Sequence, residues 1–181
     1  MQISIRNMVI TVVGFSDRVD LDLLDRKVDG AEYAPEQFPG LVYKLKKPKA
    51  SFLIFSTGTM NCVGTTNMEE AKNAINEMLK IMKRVGVKIS KPKIEVQNIV
   101  AVAKLDTNLN LDRIAVKLEN SEYAPEQFPG LVYKMTDPKV AFLLFGSGKI
   151  VCVGARHIEQ IKKAVNMLIK KLKKIGAFRH V

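Results

Sequence analysis

The thirteen residues EYAPEQFPGLVYK occur twice in this chain, at Glu32–Lys44 and again at Glu122–Lys134. An identical match of this length, offset by 90 positions, identifies an internal repeat. Extending the alignment to Glu32–Gly64 against Glu122–Gly154 gives 22 identities in 33 positions. The 181 residues are therefore predicted to be two copies of one unit related by a pseudo-twofold axis, copy one at residues 1–90 and copy two at residues 91–181.

Charge is distributed unevenly between the two copies. The formal net charge is +11, of which copy one carries +3 and copy two +8. Strong positive charge favours an anionic partner, namely nucleic acid, an anionic membrane or an acidic protein. No stretch approaches the 18 or so apolar residues that a membrane span needs, so we expect a soluble, intracellular protein that does not enter a membrane.

Few residues offer chemistry for catalysis or metal binding. Cys62 and Cys152 are equivalent in the repeat and have no second Cys or His at metal-binding spacing, so buried free thiols are expected. Of the two histidines, His157 is expected at the start of a helix. The Gly146–Gly148 segment is interpreted as a hairpin turn and not as a phosphate-binding loop. We predict no enzyme activity, no metal and no cofactor.

Hydrophobic periodicity predicts the same elements in each copy. In copy one, Ile3–Val13 is typical of a strand, and Asp20 is placed to cap a short helix. An amphipathic helix is predicted from Asn67 to near Gly86, and in copy two its counterpart has an apolar series that begins at Ile158. Between the helices of copy one, three short strands are expected: Leu41–Leu45, Ser51–Phe55 and Thr59–Val63. The prediction is an α+β fold with helices on one face of an antiparallel sheet.

Strand alternation predicts that the other face of this sheet is apolar. The side chains expected to face the helices in copy one are Phe52, Ile54, Met60 and Cys62. Those expected to point away are Ser51, Leu53, Phe55, Asn61 and Val63 in copy one, and Ala141, Leu143, Phe145, Val151 and Val153 in copy two. An exposed sheet face is normally polar, so an apolar one indicates a binding surface. A repeat with twofold symmetry suits duplex DNA as its target.

The motifs that carry this pattern resemble those of the TATA-box-binding protein family. They are N-x-V, E-Y-x-P-x-x-F-P-G-L-[VI]-Y, P-K-x-x-x-L-[IL]-F-x-[ST]-G and a closing V-G, and each occurs twice over essentially the whole chain. The compact form resembles archaeal members most. The resemblance implies a saddle, a curved ten-stranded antiparallel sheet with four helices on its convex side. It also implies a general transcription factor that binds the TATA box in the minor groove, bends it, and nucleates assembly of transcription factor B and RNA polymerase at the start site.

The resemblance also implies roles for particular residues. DNA-intercalating positions match Phe38, Phe55, Phe128 and Phe145. Base-edge contacts match Asn7, Asn98, Val9, Val100, Leu53, Leu143, Val63, Val151 and Val153. Phosphate contacts match Lys44, Lys134, Thr57, Ser147 and Lys149. Transcription factor B is expected to dock at Glu122 and Glu126, in a loop flanking the DNA.

Three departures from the family pattern bear on the symmetry of binding. Val63 and Val153 stand where eukaryotic members have threonine. Thr59 replaces a basic residue that copy two retains as Lys149, and Asn61 breaks the apolar match to Val151.

Several alternatives stay open at the level of sequence. For Phe38 and Phe128, the alternative to intercalation is packing within a loop. For Asn7 and Asn98, the alternative to contact with bases is a role as polar residues at a strand edge. The lysines of the final helix form either a solvated face or a site for an acidic protein. The alternative function is a saddle-fold accessory domain that binds RNA or an RNA–DNA hybrid. We expect a monomer on DNA, with weak self-association open in its absence, located in the archaeal cytoplasm at the nucleoid or, in a eukaryote, in the nucleus.

Overall fold

Buried and half-buried residues alternate along the strands of this protein, as they do when one face of a sheet packs against helices. The computed structural model describes residues 1–179. Its chain divides into two compact units: a first unit of Asn7–Gln97, and a second unit that joins Met1–Arg6 to the chain from Asn98 onward. These units differ slightly from the repeats 1–90 and 91–181, which remain a prediction about the duplication.

The first unit contains a four-stranded antiparallel sheet in the order β2-β3-β4-β1. Its strands are β1 (Ile3–Val13), β2 (Leu41–Leu45), β3 (Ala50–Ile54) and β4 (Met60–Thr65). One face buries Ile10, Phe52 and Cys62, each fully removed from solvent. The prediction for the helix-facing side is confirmed, since Ile54 and Met60 are also fully buried.

Two helices cover this buried face, α1 (Leu21–Lys27) and α2 (Met68–Arg84). The side chain of Asp20 accepts a hydrogen bond from the backbone N–H of Leu23 at 3.1 Å, so the predicted N-cap of α1 is confirmed. At the start of α2, Asn67 accepts from the N–H of Glu70 at 2.8 Å. The buried stripe of α2 is Ala71, Ala74, Ile75, Met78, Leu79 and Met82.

The second unit repeats the arrangement with β5 (Lys93–Lys104), β10 (Lys149–Ala155), β9 (Lys139–Leu144), β8 (Leu131–Thr136) and β7 (Ser121–Glu122), in that order across its sheet. Its helices are α3 (Leu111–Lys117) and α4 (Ile158–Lys174). Two short strands, β6 (Asn108–Leu109) and β11 (Phe178–Arg179), pair separately. The α+β class is confirmed, with four helices among residues 1–179.

The structure corrects several details of the sequence prediction. Phe55 lies just after β3 and Thr59 just before β4, because both belong to the hairpin turn in which the N–H of Phe55 donates to the carbonyl of Thr59 at 2.9 Å. Ile158, expected to begin the buried stripe of α4, is 45% exposed because it is the first residue of the helix.

The strand count follows the duplication with one difference between the units. In the second unit, Glu122 pairs with Val132 as part of β7. In the first unit the equivalent pairing is a single bridge between Glu32 and Val42. The large sheet therefore has nine strands within the described residues, four in the first unit and five in the second, and the expected number of ten is wrong because a single bridge does not form a strand. None of the helices within residues 1–179 is long and apolar enough to cross a membrane.

Candidate nucleic-acid interface

The sheet face opposite the helices brings the predicted base-edge residues of each unit together. In the first unit, Val9 pairs with Val63 across β1 and β4, and Leu53 lies beside Asn61 on the neighbouring strand. In the second unit, Val151 pairs with Leu143, and Val153 pairs with Ala141. All of these side chains, and Val100, are half-buried and point away from the helices. The predicted apolar face is therefore present in both units.

One asparagine in each unit is held in a defined orientation on this face. The side-chain oxygen of Asn7 accepts a hydrogen bond from the backbone N–H of Gly64 at 2.8 Å, and that of Asn98 accepts from the N–H of Gly154 at 2.7 Å. A backbone N–H can only donate, so the oxygen of each amide is fixed as the acceptor. The remaining hydrogen-bonding capacity of each amide is its two N–H donors. Sequence reasoning found the asparagines but not these glycine partners.

The four predicted intercalating residues form one aromatic pair in each unit. Phe38 packs edge to face on Phe55 with ring centroids 5.9 Å apart, and Phe128 packs on Phe145 in the same way at the same distance. Phe38 is 39% exposed and Phe128 is 41% exposed. Such exposure argues against the alternative in which these two rings fill the interior of a loop.

Two glycines that sequence reasoning did not single out seat these pairs. A Cβ atom placed on Gly40 would lie 2.7 Å from Phe38 and 2.9 Å from Phe55. On Gly130 it would lie 2.7 Å from Phe128 and 3.0 Å from Phe145. Both glycines belong to the repeated F-P-G segment, so the sequence marks these positions. The need for glycine there follows only from the structure, which places the second ring of each pair, Phe55 or Phe145, against the glycine.

A short turn positions the first phenylalanine of each pair. The backbone N–H of Phe38 donates to the carbonyl of Ala34 at 3.0 Å, and that of Phe128 donates to Ala124 at the same distance. The turn contains a proline directly after the alanine, Pro35 or Pro125, and a second proline, Pro39 or Pro129, follows the phenylalanine. Because proline fixes φ, the segment holds an exposed aromatic side chain with little conformational freedom.

The predicted phosphate-contacting side chains surround the apolar face in exposed positions. Lys44 and Lys134 lie on β2 and β8, and Thr57 and Ser147 lie in the hairpin turns that follow the second phenylalanine of each pair. Lys149 begins β10, and its Nζ lies 5.8 Å from the centre of the Phe145 ring. The aromatic pair of the second unit therefore has a cation beside it, whereas the first unit has Thr59 at the equivalent position.

A further lysine in the second unit was missed from the sequence. Lys104, at the end of β5, pairs in register with Lys149 and donates a hydrogen bond to the backbone carbonyl of Ser147. In the repeat alignment the first unit has Val13 at this position. The two lysines concentrate positive charge at one end of the second unit's sheet, and only the strand register shows that they are neighbours.

The predicted docking residues Glu122 and Glu126 are both exposed. The expectation that both lie in a loop is wrong for Glu122, which belongs to β7 because Ser121 and Glu122 pair with Tyr133 and Val132. Glu126 lies in the turn before Phe128. The equivalent residues Glu32 and Glu36 of the first unit are exposed as well, so exposure alone does not distinguish the two units.

The two cysteines of the chain are buried in its core. Burial raises the pKa of the Cys62 and Cys152 thiols to about 11, and both side chains are free cysteines inside the core, as predicted. Within residues 1–179 no three His, Cys, Asp or Glu side chains come together in a way that could hold a metal ion. The lysines of α4 are exposed, and Lys162 forms an ion pair with Glu159 at 3.6 Å.

Comparison with known proteins agrees with this geometry. The family model described as transcription factor TFIID (or TATA-binding protein, TBP) matches residues 2–85 and again 93–175. The TATA-box-binding protein of Picrophilus torridus is 46% identical over 97% of this chain and 96% of its own length. That of Methanocaldococcus jannaschii is 46% identical over 96% of this chain and 95% of its own. The solved structure of Methanococcus jannaschii TBP has a TM-score of 0.90 and 44% identity, and covers 96% of this chain and 99% of that one.

Proposed function

This chain belongs to the family of transcription factor TFIID, or TATA-binding protein, and we propose that it binds TATA-box DNA through the minor groove and bends it. The observation that carries the proposal is the duplicated set on the open sheet face. Each unit presents one oriented asparagine amide and one exposed phenylalanine pair among apolar side chains.

The chemistry of this face matches the minor groove of A·T pairs. There, A·T and T·A pairs present only the acceptors N3 and O2, whereas a G·C pair adds the amine donor of guanine. The amides of Asn7 and Asn98 have their oxygens occupied and offer donors. Valine and leucine side chains around them give shape contact but no partner for a guanine amine. The surface should therefore accept A·T pairs and reject G·C pairs.

The phenylalanine pairs account for bending. Insertion of apolar wedges between base steps is the way this family, among other minor-groove binders, kinks DNA. Pyrimidine–purine steps such as TA unstack at low cost, so the deformation itself favours a TATA element. Phe38 and Phe128, held outward by turns that contain proline, supply the leading edges of the two wedges.

The basic side chains around the face supply contacts to phosphate groups. Phosphate contacts hold a protein on the duplex without reading sequence, and they make affinity depend on salt. The set proposed for this role is Lys44, Lys134, Thr57, Ser147 and Lys149, with Lys104 added by its position beside Lys149.

Assembly of transcription factor B, and through it RNA polymerase, is proposed to begin at Glu122 and Glu126. Two exposed carboxylates beside the Phe128 turn offer an acidic surface next to the bent DNA. Glu122→Lys/Glu126→Lys should bind TATA duplex but fail to recruit factor B in a supershift. The matched control is Glu32→Lys/Glu36→Lys, which makes the same charge change in the first unit. Equal loss in both double variants would contradict the assignment.

The direct test of binding is an equilibrium gel shift with three duplexes. A TATA duplex should bind tightly, and its G·C-substituted form should not. An inosine·cytosine form, which lacks the amine in the minor groove, should bind like the TATA duplex. Equal affinity for all three would refute minor-groove recognition. Tighter binding to an RNA–DNA hybrid of the same sequence would favour the accessory-domain alternative.

A further inference from the structure

One polar pair interrupts the apolar face of the first unit and has no counterpart in the second. Thr11 on β1 lies opposite Asn61 on β4, and the Thr11 hydroxyl donates a hydrogen bond to the side-chain oxygen of Asn61 at 3.2 Å. At the equivalent place in the second unit, Val102 on β5 lies opposite Val151 on β10. Asn61 pairs with Leu53 on β3 and lies two residues before Val63 on β4, so it stands among the proposed base-edge residues.

The hydrogen bond from Thr11 decides which atoms Asn61 offers outward. Because the oxygen of the amide accepts from the hydroxyl, the capacity left to the side chain is its pair of N–H donors. This is the arrangement that the Gly64 amide imposes on Asn7. The first unit therefore carries two oriented donor amides on its open face, those of Asn7 and Asn61, and the second unit carries one, that of Asn98.

We propose that Asn61, oriented by Thr11, is a specificity-determining residue that donates a hydrogen bond to the minor-groove edge of an A·T pair in the half of the site bound by the first unit. The inference rests on the proposed function, since it requires the open face to lie in the minor groove. Val151 in the second unit meets the equivalent pair by shape contact alone. The two halves of the DNA site are then read differently, and the first half is read more stringently.

Base chemistry gives this proposal a distinct signature. An amine in the minor groove at the pair that faces Asn61 places a donor against a donor and leaves both without a partner, which costs far more than a lost van der Waals contact. If the amide were reversed, with its oxygen outward and its nitrogen toward Thr11, the same amine would be accepted. The two orientations thus predict opposite responses to one chemical change in the DNA.

The test is a scan of a TATA duplex in which each adenine in turn is replaced by 2,6-diaminopurine, which adds the minor-groove amine while keeping a pair with thymine. Affinity is measured by fluorescence anisotropy for the parent chain, Asn61→Val and Thr11→Val. At one position, the parent should lose on the order of tenfold more affinity than Asn61→Val does. Thr11→Val should give an intermediate loss at that position, because without the Thr11 hydroxyl the amide of Asn61 is free to turn.

A gain-of-function variant keeps the test informative if Asn61→Val disturbs the sheet. Val102→Thr/Val151→Asn transplants the polar pair into the second unit and should make one position in the other half of the element more sensitive to the amine than it is with the parent chain. Identical profiles for the parent and Asn61→Val would overturn the proposal, as would tighter binding of the parent when the amine is present.

If the parent does not distinguish the TATA duplex from its G·C form, the proposed function itself fails. If it does distinguish them but the profiles do not change, only the role of Asn61 fails.

Discussion

Phe128 and Phe145 pack edge to face, with ring centroids 5.9 Å apart, on a surface where a Cβ at Gly130 would have no room. The pair is part of no interior cluster, since Phe128 is 41% exposed. A large aromatic side chain held outward by its partner and by the backbone is available to a ligand. The same relationship between Phe38 and Phe55 in the first unit makes chance exposure a poor explanation.

Phe128→Ala should lower DNA bending while leaving the fold nearly intact. Truncating a ring this exposed should cost less than the roughly 3–5 kcal/mol typical of a buried phenylalanine, because much of its area already contacts water. Bending is measured by fluorescence resonance energy transfer across an end-labelled duplex, and stability by thermal unfolding. Phe142→Ala, which empties a fully buried position of the same unit, is the destabilising control. A comparable loss of stability in both variants would support a packing role for Phe128.

Gly130→Ala should impair bending although it leaves both rings in place. The added Cβ would lie 2.7 Å from Phe128 and 3.0 Å from Phe145, so the pair must move. Gly146→Ala is the control, because the nearest atom to its Cβ outside the neighbouring residues is 3.9 Å away. Gly130→Ala should show reduced energy transfer on the TATA duplex. Its affinity for DNA without a TATA element should stay near normal, because non-specific binding depends on phosphate contacts. Equal behaviour of the two variants would show that seating of the rings does not matter.

Asn7→Asp should abolish most of the preference for A·T pairs. The aspartate can still accept from the Gly64 amide, but it replaces two donors with an acceptor and adds negative charge next to DNA. Removing one partner of a buried hydrogen bond costs about 1–3 kcal/mol, so we expect a loss of affinity of about 5- to 150-fold in an anisotropy titration. Asn67→Asp makes the same charge change at the N-cap of α2, away from the face, and should bind nearly as the parent does. Similar losses in both would point to net charge as the cause.

The salt dependence of DNA binding should change when Lys149 is removed or when its counterpart is introduced into the first unit. Each phosphate neutralised contributes about −0.9 to the slope of log affinity against log salt concentration. Lys149→Thr should therefore make the slope shallower by about one, and Thr59→Lys should make it steeper by about one. Thr59 and Lys149 occupy the same position of the repeat, so each variant gives one copy the residue that the other copy has. No change in slope for either would remove Lys149 from the phosphate-contacting set.

The buried thiols should make stability fall at alkaline pH. Burial raises the pKa of Cys62 and Cys152 from 9.0 to about 11, so between these values the folded chain retains protons that the unfolded chain releases. Stability is then fully present below pH 9 and is lost as pH rises toward 11. Melting temperatures of the parent and of Cys62→Ala/Cys152→Ala should diverge in slope across this window, the parent falling more steeply. Parallel slopes would contradict the assignment.

The sequence could predict most of this fold because duplication and alternation reinforce each other. Phe52 and Leu53 follow each other in the chain but face opposite sides of the sheet, and period-two alternation is enough to assign them. The exposure of Phe38 could not be derived this way, because it depends on a turn and on the absence of a Cβ at Gly40. That Lys104 and Lys149 are neighbours could not be predicted for another reason: they are 45 positions apart in the chain, and only the strand register brings them together.

The repeat alignment shows that the two units differ at Asn61, but it does not show what the Asn61 side chain contacts. Asn61 against Val151 is an obvious exception in the repeat alignment. Its meaning depends on Thr11, which lies 50 residues away in the chain and donates a hydrogen bond to the side-chain oxygen of Asn61. Pairwise contacts of this kind require the strand register and the side-chain rotamers, which local sequence does not determine.

Bending by the phenylalanine pairs is measured most directly by energy transfer across a TATA duplex labelled at both ends, titrated with the parent chain and with Phe128→Ala/Phe145→Ala. The parent should raise energy transfer at saturation on the TATA duplex and leave the G·C-substituted duplex unchanged. The double variant should show little change on either at protein concentrations where it is still bound. A parent that binds the TATA duplex without altering the end-to-end distance would contradict the account.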